Sequence, residues 1–533
     1  MKRVLLVTAL LAAGIVAAQA VSAQERMDLD MTGRIRSEAF NRSQVMATLG
    51  ELTEGIGPRL TNSPSMAKAN SWARGKFTGW GLANAHDESI GTFGRGWEFS
   101  GASAEMLSPR GFSLHVMPMA WTPATPGPVE GEVIAAKIES KADLEKFKGK
   151  LRGKILLVSD ARPYKFGEKP DSSRYTEAEL TDLIGVDVPA DRGGRSRDEM
   201  MKRYLDRMTF GPTLNQFLVD EGALATVSMS RWDNGILVLG GGGSRKAAES
   251  VGVPSVVMGA EHYNTLMRAL DRKQTPRMRL NVAARFTDAT DQPGYNTIAE
   301  IPGSGPHRDQ IVMLGAHMDS WHAGTGASDN GAGVAVVMEA VRILKAVGAK
   351  PDRTIRVALW SGEEQGLIGS AKYVEDHFGH YPEPTDPDEK AIPAFFRENK
   401  GALIRGREYG LLAAYFNLDN GSGKIRGIYA QENMAVAPIF EEWMQPWHDV
   451  GATIVTQRNT GSTDHISFDR VGLPGFQFVQ DGLDYFTNVH HTDMDTYDHA
   501  SAQDLKQASA IMASFVYNAA MRPAMLPRKP LME

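Results

Sequence analysis

The chain has 533 residues, of which 42% are hydrophobic, 23% are charged and 8% are aromatic. This composition is typical of globular proteins and excludes disordered and low-complexity classes. The net charge of -6 gives no basic excess to attract nucleic acid, so we expect no nucleic-acid partner. The length predicts about two to four domains, each large enough to bury a core.

Residues 1–23 have the layout of a secretory signal peptide. Lys2 and Arg3 precede an apolar run from Val4 to Ala18, and the small residues at 21–23 form a cleavage site. A retained membrane anchor is less favoured, because the apolar run is short. We therefore expect an exported protein, periplasmic or secreted, with no membrane anchor after cleavage.

Cysteine is absent from the chain. Disulfides, thiol catalysis and cysteine-bound zinc are therefore excluded. Any metal must bind to His, Asp and Glu side chains.

Three regions follow the signal peptide. Residues 24–125 are expected to form the N-terminal part of the domain that resumes at 289; they contain helical patterns at 35–85, with turn signals in GIGPRLTNSPS (55–65), and end near a Pro-rich stretch at 121–132. Residues 126–288 contain short β-branched runs separated by Gly, Pro and charged loops, which indicates an inserted β-rich module. From 289 to 533, strand-like runs alternate with helix-like runs, which predicts an α/β fold with a mixed, mainly parallel central sheet and helices on both faces. Residues 380–411 are predicted to be a polar surface insertion.

Acids and histidines follow the predicted strands of the last region. His317 and Asp319 follow QIVMLGAH, Glu363 and Glu364 lie in WSGEEQG, and the other groups are Asp329 before a Gly-rich helix start, Asp419 in FNLDNG, and His490 and His491 in NVHHTDMDT. The carboxyl ends of strands in an open α/β sheet gather at one edge, where ligands bind. Each motif alone is a weak signal, but their joint occurrence at strand ends predicts one site.

A set of histidines and carboxylates without a thiol suits one or two divalent ions such as zinc. Two close ions need a shared carboxylate, and Asp329, beside a helix start, can bridge them. Of the Glu363–Glu364 pair, one side chain can bind metal while the other takes a proton from the attacking water. Asp319 is placed to hold the second nitrogen of His317.

The motifs HMDSWHAGTGASDNGAG, LWSGEEQG, NLDNG and HHTDMDT resemble those of the co-catalytic zinc exopeptidases, of the leucyl aminopeptidase and glutamate carboxypeptidase type. The match is closest to plasma glutamate carboxypeptidase-like peptidases. Its specific part is 315–499, and the β-rich module is similar to the protease-associated domain that such enzymes carry.

The resemblance implies two zinc ions and a role for each site residue. Asp329 would bridge, His317 and Asp419 would hold one zinc, and Glu364 and His491 would hold the other. Glu363 would be the general base and Asp319 would orient His317. His491 is chosen over His490 because the family ligand directly precedes a Ser/Thr position, here Thr492. Other divalent metals, such as manganese or cobalt, suit the same ligands.

His490, His465 and His322 are candidate substrate contacts. His490 would neighbour the substrate, and His465 lies with Asp464 in STDHISF, which resembles a loop lining these active sites; a structural role fits both equally well. His322 stands where relatives can carry Asp. Relatives are often dimers, which leaves a homodimer open.

The predicted function is hydrolysis of dipeptides or short peptides, with an aminopeptidase and a carboxypeptidase as alternatives. Two further hypotheses use the same scaffold: a non-catalytic binding protein, as in the transferrin receptor, and a one-zinc glutaminyl cyclase. The complete ligand set disfavours both.

Overall fold

A computed structural model describes residues 25, 27–167, 170–185, 197–392, 397 and 401–530. The predicted signal peptide at 1–23 lies outside the described residues. No helix in the described part of the chain has the length and apolar character needed to span a bilayer.

The first of two eight-stranded sheets is mixed, with a parallel centre. Its order is β1-β10-β12-β11-β15-β18-β16-β17, and the pairs β12–β11, β11–β15 and β15–β18 are parallel. The strands are β1 (Ala83–Gly94), β10 (Gln292–Ile301), β11 (Ile311–His317), β12 (Thr354–Trp360), β15 (Leu412–Asn417), β16 (Ile425–Tyr429), β17 (Ile454–Thr456) and β18 (Gly475–Gln480). The predicted parallel centre and mixed character are confirmed.

Helices cover both faces of this sheet, as the alternation of strand-like and helix-like runs in the sequence predicts. Successive strand residues point to opposite faces, and in β11 Leu314 joins one core whereas Met313 joins another. The helices are α1 (Leu29–Asn41), α2 (Val45–Gly50), α3 (Pro64–Gly79), α8 (Ala332–Ala346), α9 (Ile368–His377), α11 (Ala437–Met444), α12 (His465–Asp469) and α13 (Ala502–Met521). The central helix α8 is buried along most of its length; its side chains are mostly apolar, and its buried Glu339 and Arg342 pair with each other at 2.7 Å.

The second sheet takes its strands from residues 97–286. Its order is β3-β2-β9-β5-β6-β7-β8-β4, and its strands are β2 (Trp97–Ser108), β3 (Phe112–Leu114), β4 (Val116–Pro118), β5 (Val129–Ala135), β6 (Lys154–Leu157), β7 (Ala225–Met229), β8 (Ser255–Met258) and β9 (Arg277–Phe286). Its helices are α4 (Lys141–Phe147), α5 (Glu177–Ile184), α6 (Arg197–Asp220) and α7 (Ala260–Asp271). The sheet begins before residue 126, where the sequence places the inserted module, and its assignment to a protease-associated domain stays a prediction.

One antiparallel ribbon joins the two sheets. Gly94 at the end of β1 pairs with Gln292 at the start of β10, and Trp97 at the start of β2 pairs with Phe286 at the end of β9. The chain therefore leaves the first sheet and returns to it at neighbouring points.

The predicted surface insertion at 380–411 is closed by a short ladder. Strands β13 (Gly379–His380) and β14 (Ile404–Arg405) pair there, and α10 (Pro387–Ala391) lies between them. Residues 393–396 and 398–400 lie outside the described residues.

Candidate metal centre

The candidate residues come from loops at the carboxyl ends of the four central strands. His317 ends β11, Glu363 and Glu364 follow β12, and Asp419 follows β15. His491 comes after β18, and Asp329 lies in the turn directly before α8. Parallel strands place their carboxyl ends at one edge of a sheet, which explains how distant segments meet.

Asp329 lies between two histidines. Its Oδ1 is 3.4 Å from Nε2 of His317, and its Oδ2 is 3.3 Å from Nε2 of His491. Asp419 Oδ1 lies 3.4 Å from the same His317 nitrogen, and Glu364 Oε2 lies 2.9 Å from His491 Nε2. The structure thus brings all five predicted ligands together around Asp329.

Two groups of possible ligand atoms share this aspartate. One group is His317, Asp329 and Glu364, and the other is Asp329, His490 and His491; within each, the atoms lie within 4.8 Å of one another. The rings of His490 and His491 stack with centroids 3.8 Å apart. His490 is therefore close to the same centre as its neighbour.

Three buried carboxylate oxygens here accept no hydrogen bond among the described residues, although imidazole nitrogens lie 3.3 and 3.4 Å from the first and the last of them: Asp329 Oδ2, Glu364 Oε1 and Asp419 Oδ1. Buried polar atoms are normally paired, and buried charges are compensated by counter-ions or metals. The donor set of carboxylates and imidazoles therefore fits a divalent cation such as zinc.

Burial and mutual repulsion set the ionisation of the acidic pair. Burial raises the pKa of Glu363 well above its ordinary value. The charge of His317 lowers this pKa, whereas the charges of Asp419 and Asp464 raise it further. Burial likewise raises the pKa of Glu364, with Asp329 acting in the same direction. The crowded carboxylates thus resist ionising together unless positive charge is present.

The pKa values of the histidines in the site shift in opposite directions. Burial would lower the pKa of His317, but Asp419 and Glu363 raise it well above its ordinary value. Burial lowers the pKa of His491, and it lowers the pKa of His490 to about 4. His317 has a side chain only 1% exposed, whereas that of His491 is 27% exposed.

Asp319 contacts both the histidine and the acidic pair. Its main-chain oxygen lies 2.9 Å from Nδ1 of His317, closer than its carboxylate at 3.7 Å. The carboxylate accepts the hydroxyl of Thr61 at 2.9 Å and the backbone N–H groups of Glu363 and Glu364 at 3.3 and 3.4 Å. Asp319 therefore holds the imidazole through its main chain and the acidic pair through its side chain.

Two of the predicted substrate contacts point into the protein. Nε2 of His322 lies 2.7 Å from the carbonyl of Pro118, and its ring packs edge-on against Trp97. Nε2 of His465 lies 3.1 Å from the carbonyl of Thr460. Both rings are buried, so these contacts give no support to a role in substrate binding, which stays a prediction.

Sequence reasoning missed two buried charged residues behind the centre. The carboxylate of Asp495 accepts the N–H groups of Ser328 and Asp329 at 2.6 and 3.0 Å. The Arg59 guanidinium donates to main-chain carbonyls, including those of Met318 and Gly326 at 2.8 and 2.7 Å. Arg59 lies in GIGPRLTNSPS and Asp495 in HHTDMDT, but their partners are main-chain atoms that no side-chain pattern reveals.

Comparison with known proteins agrees with this geometry. Residues 296–516 match the model of peptidase family M28. Carboxypeptidase Q of Mus musculus is 26% identical over 503 residues, which cover 94% of this chain and 90% of the relative. Leucine aminopeptidase 1 of Arthroderma otae is 28% identical over 233 residues, 42% of this chain and 57% of the relative. The crystal structure of an M28 peptidase precursor from Shewanella amazonensis SB2B has a TM-score of 0.62 at 23% identity, covering 94% of this chain and 98% of that one.

The fold and the matched region together define a metallopeptidase, a hydrolase of the exopeptidase class. The resemblance to the co-catalytic zinc exopeptidases is thereby confirmed.

Proposed function

We propose that this chain is an exported exopeptidase that uses two zinc ions to hydrolyse dipeptides or short peptides. The observation that carries the proposal is Asp329, whose two oxygens face His317 and His491 at 3.4 and 3.3 Å. A carboxylate between two imidazoles is suited to bridging two cations. A one-zinc cyclase would need only one of the two imidazoles that face Asp329.

The remaining ligands follow from the same geometry. His317 and Asp419 would hold one zinc, and Glu364 and His491 the other, with Asp329 shared. The partnerless oxygens of Asp329, Glu364 and Asp419 support this assignment, since each would gain a cation.

Glu363 is the proposed general base. Zinc supplies Lewis acidity, which activates water and polarises the scissile carbonyl. Glu363 would accept the proton of the attacking water at its carboxylate and return it to the leaving amine. Asp319 would position this residue, because its carboxylate accepts the backbone N–H of Glu363 at 3.3 Å.

The direction of cleavage is left open by the names of the relatives, which include a carboxypeptidase that aligns with 94% of this chain and a shorter aminopeptidase match. Dipeptides satisfy both descriptions. Export rests on the predicted signal peptide, and N-terminal sequencing of the exported protein should begin at Gln24.

The test pairs metal analysis with one substitution. Zinc-loaded parent and Glu363→Gln should both retain two zinc ions per chain after dialysis. Turnover of a dipeptide should fall by about a thousandfold in Glu363→Gln, since general-base catalysis contributes about 10²–10⁴-fold. Glu441→Gln, at an exposed position of α11, is the matched control and should keep full activity.

Other outcomes would redirect the proposal. One tightly held zinc per chain would favour the cyclase alternative. Unchanged turnover in Glu363→Gln would exclude Glu363 as the general base. Two zinc ions without hydrolysis of any peptide would favour a binding protein. Mass spectrometry of products from one peptide, with its amine free and acetylated, identifies the end that is cut.

A further inference from the structure

The hydroxyl of Thr61 is buried behind the acidic pair of the centre. The residue has no exposed surface, and its Oγ1 lies 2.9 Å from Oδ2 of Asp319 and 2.7 Å from the side-chain amide of Gln365. Asp319 is fully buried as well, and it accepts the backbone N–H groups of Glu363 and Glu364 at 3.3 and 3.4 Å. Thr61 therefore contacts the carboxylate that holds the proposed general base in place.

The segment that carries Thr61 is fixed on both sides of this residue. The backbone N–H of Arg59 donates to the hydroxyl of Ser320 at 3.1 Å, and the N–H of Ser320 donates to the carbonyl of Arg59 at 3.2 Å. On the other side, the hydroxyl of Ser63 accepts a backbone N–H from the first turn of α3 at 3.1 Å. The hydroxyl of Thr61 thus approaches Asp319 from a segment whose position is already set.

Only one of the two contacts of this hydroxyl can use its proton. A hydroxyl has a single proton and two lone pairs, and a carboxylate is a stronger acceptor than an amide oxygen. Thr61 therefore donates to Asp319, and the amide of Gln365 turns its nitrogen towards Thr61. Within the described part of the chain this nitrogen, Nε2, is buried and has no other partner. The hydrogen bonds thus run from Gln365 through Thr61 to Asp319.

Such a chain of hydrogen bonds restricts a carboxylate that would otherwise rotate about its last bond. With one oxygen of Asp319 held by Thr61, both oxygens stay directed at the backbone N–H groups of the acidic pair. A general base has to lie within hydrogen-bond distance of the proton that it removes. Groups that act in catalysis need supports that keep them within about 0.5 Å of the productive geometry.

We propose that Thr61 is a positioning residue for hydrolysis: it fixes the carboxylate of Asp319 and, through it, the backbone of Glu363, while Gln365 fixes the hydroxyl of Thr61. This inference rests on the proposed function and adds two residues that hold the base without touching the substrate. Thr61 precedes the second sheet in the chain and Glu363 follows it. The site is therefore complete only when these two parts of the chain meet.

The first test removes the hydroxyl while keeping the shape of the side chain, in the zinc-loaded full chain. Thr61→Val should lower kcat for a dipeptide by about 10-fold, the lower end of the range for residues that support a metal site. KM should change less than about twofold, and zinc should stay at two ions per chain. Thr61→Ser should recover most of the loss, because it restores the hydroxyl. Thr226→Val, which removes a buried hydroxyl of β7 that donates to Ser255 at 2.6 Å, is the matched control and should keep the kcat of the parent.

A double-mutant cycle tests the order of the chain. Gln365→Leu alone should lower kcat by about threefold, as expected for one neutral hydrogen bond. Added to Thr61→Val, it should cause no further loss, because its effect passes through the hydroxyl that is already missing. Additive losses would overturn the assignment of Gln365 to this chain.

Hydrogen exchange gives a measurement that does not depend on turnover. Backbone N–H groups in peptides that contain residues 363–365 should exchange faster in Thr61→Val than in the parent, and Thr226→Val should leave them unchanged. Unchanged exchange or unchanged kcat in Thr61→Val would overturn the inference. Unchanged turnover in Glu363→Gln would instead refute the proposed mechanism, and faster exchange in Thr61→Val would then still support the role of Thr61 in holding this segment.

Discussion

Two histidines of this protein are surrounded by carboxylates, but their charges are balanced differently. Around His317 at the metal centre, buried oxygens of Asp329 and Asp419 lack hydrogen-bond partners. His377, at the end of α9, lies 2.5 Å from Glu88 and 3.4 Å from Glu408. There Arg356 also pairs with Glu408 at 3.0 Å, so positively charged side chains of the protein balance these acids.

The comparison shows that residue type alone does not distinguish a metal site from an ion-pair cluster. Both clusters contain histidine and several acids in buried or half-buried positions. The difference is whether arginine or lysine completes the charge balance. Where it does, the cluster stabilises the fold, and where it does not, a cation from outside is required.

The largest difference should appear when one carboxylate of the metal centre becomes an amide. Glu364→Gln should lower the zinc content from two ions per chain towards one. Its kcat/KM should fall by about a thousandfold, because metal ions contribute several kcal/mol to transition-state stabilisation. The metal-free variant should be about as stable as the metal-free parent, because burial raises the pKa of Glu364 and so favours its neutral acid, which glutamine resembles in charge and shape. Elemental analysis, peptide kinetics and urea denaturation measure the three effects; full zinc content with full activity would exclude Glu364 as a ligand.

A Glu→Gln substitution in the cluster around His377 should lower the stability of the protein instead of its zinc content. Glu408→Gln leaves Arg356 without one of its partners, and breaking a buried pair costs about 3 kcal/mol. Urea denaturation should show this loss, while zinc content and activity per folded molecule stay as in the parent. Glu375→Gln, on the exposed side of α9, is the control and should change the free energy of unfolding by less than about 0.5 kcal/mol. Loss of zinc in Glu408→Gln would refute the distinction between the clusters.

The smallest expected effect depends on pH. Burial opposes protonation of His377, but Glu408 and Glu88 raise its pKa from 6.5 to about 9. Protonated His377 therefore adds stability below about pH 6.5, and this is lost as the pH rises through about 9. His377→Gln should be less stable than the parent by about 2 kcal/mol at pH 6, with the difference disappearing near pH 10. A difference that stays constant across this range would contradict the assigned charge.

The sequence predicted the centre of the molecule better than its edges. The runs QIVMLGAH, RTIRVALWS and LPGFQFVQ correspond to β11, β12 and β18, because buried parallel strands are continuously apolar. The ligand-bearing loops follow from the carboxyl ends of those strands. Strands β1 and β2 were not predicted, since their half-exposed residues include many small and polar side chains.

The missed residues share a physical reason. Arg59 and Asp495 bond to main-chain atoms of segments far away in sequence. Such contacts depend on how loops pack after the sheets form. A sequence shows where histidines and acids concentrate but not which distant backbone a single arginine will meet.

The ribbon that joins the sheets also bears on how the chain acquires its fold. Because Trp97 pairs with Phe286, the ends of the intervening segment are neighbours in space. A segment with adjacent ends can form its own core during synthesis, before the remaining strands leave the ribosome. Once it has formed, it closes what would otherwise be a loop of nearly two hundred residues between β1 and β10, whose closure entropy grows with length (roughly as its logarithm). If the second sheet forms first, it would bring β1 close to β10 and so speed the assembly of the first sheet.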